Sequence, residues 1–312
     1  MCAMSEGLAI VARQTAVLFL LMAFGMAVRW FRIFDGQSMK RMADYVLAVV
    51  TPCLIVTSFQ RPFDRSALAG VCWSFAAALF AHAAGILLAR LAVRDRDEAR
   101  MRAMRFAAVF SNAGYMGIPL QYAVLGPEGV FYGSIYIVVF HILCWTYGVW
   151  EIRGGFMGDG VAKALVNPGL AGIAIGLPFF LFSLRLPPVL AEPVKMTGGL
   201  FTPLAMLVLG YHLAGAKFAP ALSRSGTYAV LVLRHIVVPA AVLAALPLVP
   251  GMDRTVSVAA VIPAAAPVGA SVTMFSARYG GDAEFATALV AVSTVLSVVT
   301  MPLMVSAALA LL

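Results

Sequence analysis

The stretch Phe110–Leu120, which reads F-S-N-A-G-Y-M-G-I-P-L, decides how this chain folds. It lies inside an apolar run long enough to cross a membrane, yet Asn112, Gly114, Gly117 and Pro119 fall within it. Each glycine lowers helix stability by roughly 1 kcal/mol relative to alanine, and proline has no N–H to donate. A bilayer has no water to satisfy freed backbone groups, so a break is tolerated only beside protein or a water-filled cavity. The stretch therefore predicts an interrupted membrane helix that lines a cavity.

The composition is typical of polytopic α-helical membrane proteins. Of the 312 residues, 62% are apolar and 12% are charged, whereas soluble proteins carry about 25% charged residues. Runs of about 20 apolar residues, the length that crosses a bilayer, alternate with short charged loops. The net charge of +8 does not imply a nucleic-acid partner, because one side of a membrane attracts basic residues.

Ten apolar runs predict ten membrane spans joined by short loops. They lie approximately at residues 8–29, 39–59, 66–90, 104–125, 129–150, 166–184, 189–213, 226–248, 254–277 and 284–311. Most loop Lys and Arg residues fall on one side if the N-terminus faces outward, which is the bias of cytoplasmic loops. We therefore expect both termini outside. A cytoplasmic linker at 154–165, preceded by the loop residue Glu151, separates the halves 1–153 and 166–312.

The second half repeats features of the first at an offset of 151 or 152 residues. The matched positions are Thr51-Pro52 with Thr202-Pro203, Gly117 with Gly269, and His82 with Arg234. A second break, I-P-A-A-A-P-V-G-A-S-V-T-M-F at 262–275, falls in the ninth span. Each half holds five spans, an odd number, so the second half enters the membrane upside down. The predicted fold is an all-α membrane protein of ten transmembrane helices. Its two inverted five-helix repeats bring broken helices 4 and 9 to cross near the midplane.

The residues of the two breaks form the candidate substrate site. Half-helix N-termini at the midplane each carry about +0.5 elementary charge and free N–H groups, which suit a carboxylate. Asn112 either donates its amide to the substrate or only caps a half-helix, and Tyr115 either stacks on a ligand or only packs. The glycines keep the two backbones close, and Ser271 and Thr273 bond either to the substrate or to their own helix. The candidate substrate-binding residues are Ser111, Asn112, Gly114, Tyr115, Gly117, Pro119, Pro263, Pro267, Gly269, Ser271 and Thr273.

Two ionisable side chains inside predicted spans are candidate charge partners. Arg234 can neutralise an anion, neutralise a helix C-terminus or extend to the interface, and His82 can relay protons or only pack. No predicted span contains a buried Asp or Glu, the usual proton carriers and common sodium ligands. The Cys and His residues lack metal-ligand spacing, and the chain has no phosphate loop or nucleophile elbow. We therefore expect no metal, no cofactor and no enzymatic activity.

The two breaks also carry motifs that resemble those of the auxin efflux carrier family. N-A-G-Y-M-G-I-P-L at 112–120 is similar to the family's fourth-helix signature. A-A-A-P-V-G at 264–269, followed by F-S-A-R-Y-G-G-D at 275–282, is similar to its ninth-helix signature. N-P-G-L-A-G-I-A-I-G-L at 167–177 resembles the start of its second repeat. The short central loop is similar to that of bacterial members, which include malonate and malate permeases, and this implies an inner-membrane location.

The resemblance implies a transporter of small organic carboxylates that works by an elevator movement. Spans 1, 2, 6 and 7 would form a scaffold, often dimeric, and spans 3–5 and 8–10 a transport domain that holds the carboxylate near Asn112. The implied partners are a small organic anion, the lipid bilayer and a second copy of the chain. Two alternatives remain open: a sodium- or proton-coupled carrier of the same fold, and a non-transporting membrane receptor or scaffold. The residues do not select a carboxylate, a direction of flux or a coupling ion.

Overall fold

The part of the chain that the structure describes is helical and contains no extended β-strand. This computed structural model describes residues 2–155, 168–249, 251–279 and 281–312, and for residues 2–8 and 10 it describes the backbone alone. The predicted linker 154–165 lies outside the described residues from residue 156 onward. Besides one short turn of helix at Ala219–Leu222, the helices are α1 (Cys2–Trp30), α2 (Gly36–Phe59), α3 (Arg65–Ala92), α4 (Glu98–Val109), α5 (Ala113–Arg153), α6 (Pro168–Leu181), α7 (Pro188–Leu213), α8 (Ser225–Leu248), α9 (Arg254–Ala265), α10 (Ser271–Tyr279) and α11 (Ala283–Leu311).

Seven of the described helices are long and apolar enough to cross a membrane: α1, α2, α3, α5, α7, α8 and α11. α6 and α9 are apolar but shorter. The predicted span 104–125 is divided between α4 and α5, and the predicted span 254–277 between α9 and α10. The helices therefore confirm the multi-pass membrane class that the composition predicts.

α5 consists of two helical arms that meet at Gly126. The backbone there has φ 66° and ψ −155°, a conformation that favours glycine, and Pro127 begins the second arm. The 41 residues of α5 thus combine the end of the predicted fourth span with the whole predicted fifth span, 129–150. The bend lies between these two spans.

Two helix pairs pack closely through glycines: α1 lies along α7, and α2 lies along α6. A Cβ atom on Gly25 of α1 would collide with the carbonyl oxygen of Leu207 in α7. A Cβ atom on Gly172 of α6 would lie 2.8 Å from the Cα of Pro52 in α2. Small residues let membrane helices approach closely. In addition, α9 packs against α5 and α11, and α3 packs against α5.

Glu151 corrects one prediction from the sequence. It was expected to begin a cytoplasmic loop, but it lies in the last turn of α5 and its side chain is only 4% exposed. Its carboxylate accepts the Tyr147 hydroxyl at 2.9 Å and contacts Arg90 at 3.3 Å and Arg105 at 3.8 Å. The two arginines come from α3 and α4, so Glu151 ties the end of α5 to two other helices. A buried carboxylate is stable there because it is paired.

Candidate functional site

The first interruption separates α4 from α5. Phe110 is extended (φ −98°, ψ 107°) and Asn112 is non-helical (φ −79°, ψ 52°), so α4 ends just before them. The side chain of Asn112 caps the next helix, because its Oδ1 accepts the Tyr115 N–H at 3.3 Å. α5 then begins with a π-helical turn, Ala113–Gly117, whose two glycines disfavour a regular α-helix.

The second interruption separates α9 from α10. Ala266 is extended (φ −65°, ψ 150°), as expected for a residue that precedes a proline. Pro263, one turn earlier, lacks an N–H and leaves the carbonyl of Ala259 without its helical partner. Gln121 of α5 donates its side-chain amide to that carbonyl at 2.9 Å. Gln121, which the sequence analysis missed, therefore links the two helices that border the interruptions.

The two interrupted stretches pair with each other. Ser111 lies opposite Val268 in an isolated antiparallel bridge. The N–H of Asn112 donates to the carbonyl of Pro267 at 2.6 Å, and the N–H of Gly269 donates to the first stretch at 2.9 Å. These two backbone amides serve the pairing, so they are not free to bind a ligand.

Of the three predicted glycines, Gly269 is the one that the pairing requires. A Cβ atom on Gly269 would lie 2.8 Å from the carbonyl oxygen of Ser111. A Cβ atom on Gly117 would lie 3.6 Å from Pro263, an ordinary van der Waals contact. A Cβ atom on Gly114 would meet no atom within 4 Å, so Gly114 borders open space.

Two buried side chains of the first stretch keep unused hydrogen-bond donors. Asn112 is 5% exposed, and its Nδ2 has no partner among the described residues. Ser111 is 1% exposed, and its Oγ faces the Tyr136 hydroxyl without a hydrogen bond within 3.5 Å. Burying a polar group without a partner costs roughly 1–3 kcal/mol. Two such groups on successive residues indicate a place that a ligand or water completes.

Arg234 binds the C-terminal ends of both interrupted helices. Its side chain is fully buried in α8. One guanidinium nitrogen, Nη1, donates to the carbonyls of Ala108 at 3.3 Å and Val109 at 2.9 Å, at the end of α4. The other, Nη2, donates to the carbonyl of Ala264, near the end of α9. Of the three roles that the sequence left open, the geometry matches the neutralisation of helix C-termini.

His82 of α3 packs beside the crossing, the place where the two interrupted stretches pair. Its Nδ1 lies 2.7 Å from the carbonyl oxygen of Ala78 and therefore carries the proton, because a carbonyl only accepts. Its ring packs against Tyr136 and Phe110, at centroid distances of 5.0 and 5.8 Å. Its Nε2 has no partner among the described residues. These contacts describe a packed imidazole whose Nε2 faces no hydrogen-bond partner in the described residues.

A hydrogen-bonded chain reaches the crossing from α8 and α11. His235 contacts Thr300 Oγ1 through Nδ1 at 2.8 Å and Ser293 Oγ through Nε2 at 2.7 Å. Ser293 Oγ also accepts the N–H of Val268 at 2.8 Å. The sequence analysis assigned no role to these residues. The sequence offered one signal, which is that His235 is an ionisable residue inside an apolar run.

The remaining predicted residues lie around the crossing with different contacts. Tyr115 donates its hydroxyl to the carbonyl of Ala43 in α2 at 3.3 Å. Thr273 Oγ1 lies 3.4 Å from Thr287 Oγ1 of α11, whose own proton bonds to the carbonyl of Ala283 at 2.8 Å, so Thr273 is the donor. The Ser271 hydroxyl is buried and faces the thiol of Cys144. Neither side chain is therefore seen to bond to its own helix. Pro119 lies near the start of the α-helical part of α5, where proline is tolerated.

The charges at the crossing leave a positive site. α4 and α9 end here with about −0.5 elementary charge each, and α5 and α10 begin here with about +0.5 each. Arg234 offsets the two C-terminal ends, so the positive N-terminal ends remain uncompensated. Among the described residues, no group of three or more His, Cys, Asp or Glu side chains could hold a metal ion. The arrangement can therefore hold a small anion, to which Asn112 and Ser111 can donate.

Comparison with known proteins gives the family of the chain. The sequence profile of a family described as membrane transport protein matches residues 10–158 and 159–305, which together span nearly the whole chain. No curated protein sequence matches the chain significantly.

Proposed function

The chain belongs to the membrane transport protein family, that of the auxin efflux carriers, and we propose that it is a secondary transporter of small organic carboxylate anions. The carboxylate binds where the two interrupted helices cross. The observation that carries this proposal is the pair of buried, unpartnered donors, Asn112 Nδ2 and Ser111 Oγ. They lie next to the positive start of α5, where an anion is favoured.

The same site favours an anion with one charge. The two N-terminal ends together supply about one positive charge, and Arg234 is engaged by three carbonyl oxygens. A second carboxylate would lie in a membrane interior without a counter-charge, which costs several kcal/mol. We therefore propose monocarboxylates before dicarboxylates such as malonate and malate.

We propose that the chain forms two inverted five-helix repeats, 1–153 and 166–312, with interrupted spans 4 and 9. The helix packing supports this architecture, because exchanging the repeats turns the α1–α7 pair into the α6–α2 pair, and both pairs pack closely. Spans 1, 2, 6 and 7 form the scaffold, and spans 3–5 and 8–10 carry the substrate by an elevator movement. The protein works in the inner membrane, with both termini outside, as a homodimer joined through the scaffold.

Arg234 argues against the first alternative, a sodium- or proton-coupled carrier. In broken membrane helices, coupling cations are held by unwound carbonyls and half-helix C-termini. Here the guanidinium already occupies these carbonyls at both helix ends. The second alternative, a non-transporting receptor, does not explain two interrupted helices with unpartnered donors. Substrate counterflow in proteoliposomes, with and without a sodium or proton gradient, separates the three functions.

Two substitutions at Asn112 test the proposal. Asn112→Asp keeps the oxygen that caps α5 but replaces the Nδ2 donor with negative charge, whereas Asn112→Ala removes both. We expect both variants to lose uptake of the carboxylate that the wild type transports, with Asn112→Asp keeping the wild-type melting temperature. The substrate comes from a thermal-shift screen of monocarboxylates, dicarboxylates and indole acids, with and without sodium. Unchanged uptake by Asn112→Asp would contradict an anion site at Asn112.

A further inference from the structure

We propose that His235 and Ser293 are positioning residues, which hold the second interrupted stretch in the geometry that binds the anion. The inference rests on the proposed function for the identity of the ligand. The hydrogen bonds that carry it do not depend on any ligand. They connect α8 and α11 with Val268, at the centre of the crossing.

The N–H of Val268 needs a partner that the first stretch does not supply. In an antiparallel pair, successive residues direct their backbone groups alternately toward and away from the partner strand. The carbonyl of Pro267 and the N–H of Gly269 bond to the first stretch, so the N–H of Val268 points away from it. Val268 is fully buried, and a buried N–H without a partner is costly. Ser293 Oγ accepts this N–H at 2.8 Å.

The hydrogen bonds around His235 have one consistent direction. Thr300 Oγ1 donates to the carbonyl of Leu296 at 3.2 Å, so its oxygen accepts from His235 Nδ1–H. The unprotonated Nε2 then accepts the Ser293 hydroxyl at 2.7 Å, and Ser293 keeps a lone pair for Val268. Every donor in this series of hydrogen bonds has an acceptor. His235 thereby orients the serine hydroxyl, and the serine fixes the backbone of the second stretch.

The two interrupted stretches consequently differ in how they are held. The second stretch is anchored to α11 through Ser293. The first keeps the unpartnered donors of Ser111 and Asn112. The anchored stretch is a rigid support against which the first stretch holds the ligand. Such support is what keeps a binding site in productive geometry.

A matched pair of serine variants isolates the role of Ser293. Ser297 lies one turn further along α11, is also fully buried, and donates to its own helix at Thr294 O, 2.6 Å away. Ser293→Ala and Ser297→Ala each remove one buried hydroxyl, but only Ser293→Ala frees the Val268 amide. Hydrogen–deuterium exchange of the intact, detergent-solubilised protein is followed in a peptide that covers residues 266–270. We expect exchange about five- to tenfold faster in Ser293→Ala and unchanged in Ser297→Ala. Equal exchange in the two variants would overturn the inference.

Variants of His235 test whether it acts through Ser293. His235→Leu removes the acceptor for the serine hydroxyl, and His235→Gln retains an amide oxygen that can accept it. We expect His235→Leu to speed exchange as Ser293→Ala does, the double variant to add nothing further, and His235→Gln to restore slow exchange. Additive effects of the two substitutions would contradict a shared path.

Uptake of benzoate tests whether the positioning of Val268 affects the affinity for the ligand or only the rate of transport. We expect Ser293→Ala to raise the concentration of benzoate that gives half-maximal uptake about fivefold, with a smaller change in the maximal rate. If the wild type neither binds nor moves any carboxylate but the exchange results hold, the proposed function fails and the positioning of Val268 stands. If uptake is normal and exchange is equal in all variants, the positioning role fails and the proposed function stands.

Discussion

The guanidinium of Arg234 donates to the carbonyl of Val109 at 2.9 Å, so an arginine from α8 caps the C-terminal end of α4. The same side chain reaches α9 at Ala264. One residue thus neutralises two helix ends that would otherwise repel an anion bound beside them. It also satisfies carbonyls that have no helical partner, which a membrane interior requires.

Replacement of Arg234 should destabilise the crossing. Arg234→Met leaves the carbonyls of Ala108, Val109 and Ala264 without donors, and each buried unsatisfied group costs about 1–3 kcal/mol. We expect a lower melting temperature and no measurable carboxylate uptake. Arg278→Met is the control, because Arg278 is exposed and contacts the ring of Tyr279. Equal melting temperatures of the two variants would show that Arg234 does not hold the helix ends.

Alanine at the paired stretches should distinguish Gly269 from Gly117. Gly269→Ala places a Cβ atom 2.8 Å from a backbone oxygen of Ser111, which forces the stretches apart. Overpacking of this kind costs about 1–3 kcal/mol, so we expect anion affinity to fall about tenfold. Gly117→Ala makes an ordinary contact and should bind as the wild type does. The measurement is carboxylate binding by thermal shift, and similar affinities of the two variants would contradict the pairing.

The local sequence offers a physical reason for each interruption. Ala266 precedes a proline, and Asn112 is a good cap followed by two glycines, so a regular α-helix is disfavoured at both positions. The apolar runs likewise predicted the multi-pass membrane class. The resemblance of the two breaks to the auxin efflux carriers was confirmed at the level of the family.

The partners of the buried polar groups could not be predicted, because they come from distant parts of the chain. Arg234 binds carbonyls that lie 125 residues away and 30 residues away. Nothing in the sequence around Ser293 distinguishes it from Ser297, yet only Ser293 meets Val268. Glu151 was read as a loop residue, because the residues that pair with it, Arg90 and Arg105, lie far from it in the sequence.

The aspartate caps of three helices should make the stability of the fold depend on pH. Asp35, Asp64 and Asp97 cap α2, α3 and α4 outside the membrane spans. Hydrogen bonds from Ser38 and Ser66 lower the pKa of Asp35 and Asp64, and the backbone N–H of Arg100 lowers the pKa of Asp97. A depressed folded-state pKa gives stability that is complete above the unfolded pKa of about 3.9 and is lost as the pH falls below it.

The triple variant D35N/D64N/D97N retains capping oxygens but does not titrate. We expect its melting temperature to fall less than that of the wild type between pH 5 and pH 3, with little difference at pH 7. The measurement is thermal unfolding in detergent at each pH. Parallel pH profiles of the two proteins would show that these caps do not contribute.

Removal of the Tyr115 hydroxyl should speed the proposed elevator movement. Its bond to the carbonyl of Ala43 joins the start of α5, in the proposed transport domain, to α2 of the proposed scaffold. This bond must break when one domain slides along the other, so it adds about 1 kcal/mol to the barrier. Tyr115→Phe keeps the ring beside Phe201 of α7, at a centroid distance of 6.4 Å.

We therefore expect Tyr115→Phe to raise the rate of carboxylate counterflow up to about fivefold with an unchanged half-saturation concentration. Tyr122→Phe serves as the control, since Tyr122 lies on the same helix and is 50% exposed. A fall in affinity without a gain in rate would instead assign the Tyr115 hydroxyl to the bound anion. Equal rates in all three proteins would mean that the bond to Ala43 is not broken during transport, and that α5 does not slide along α2.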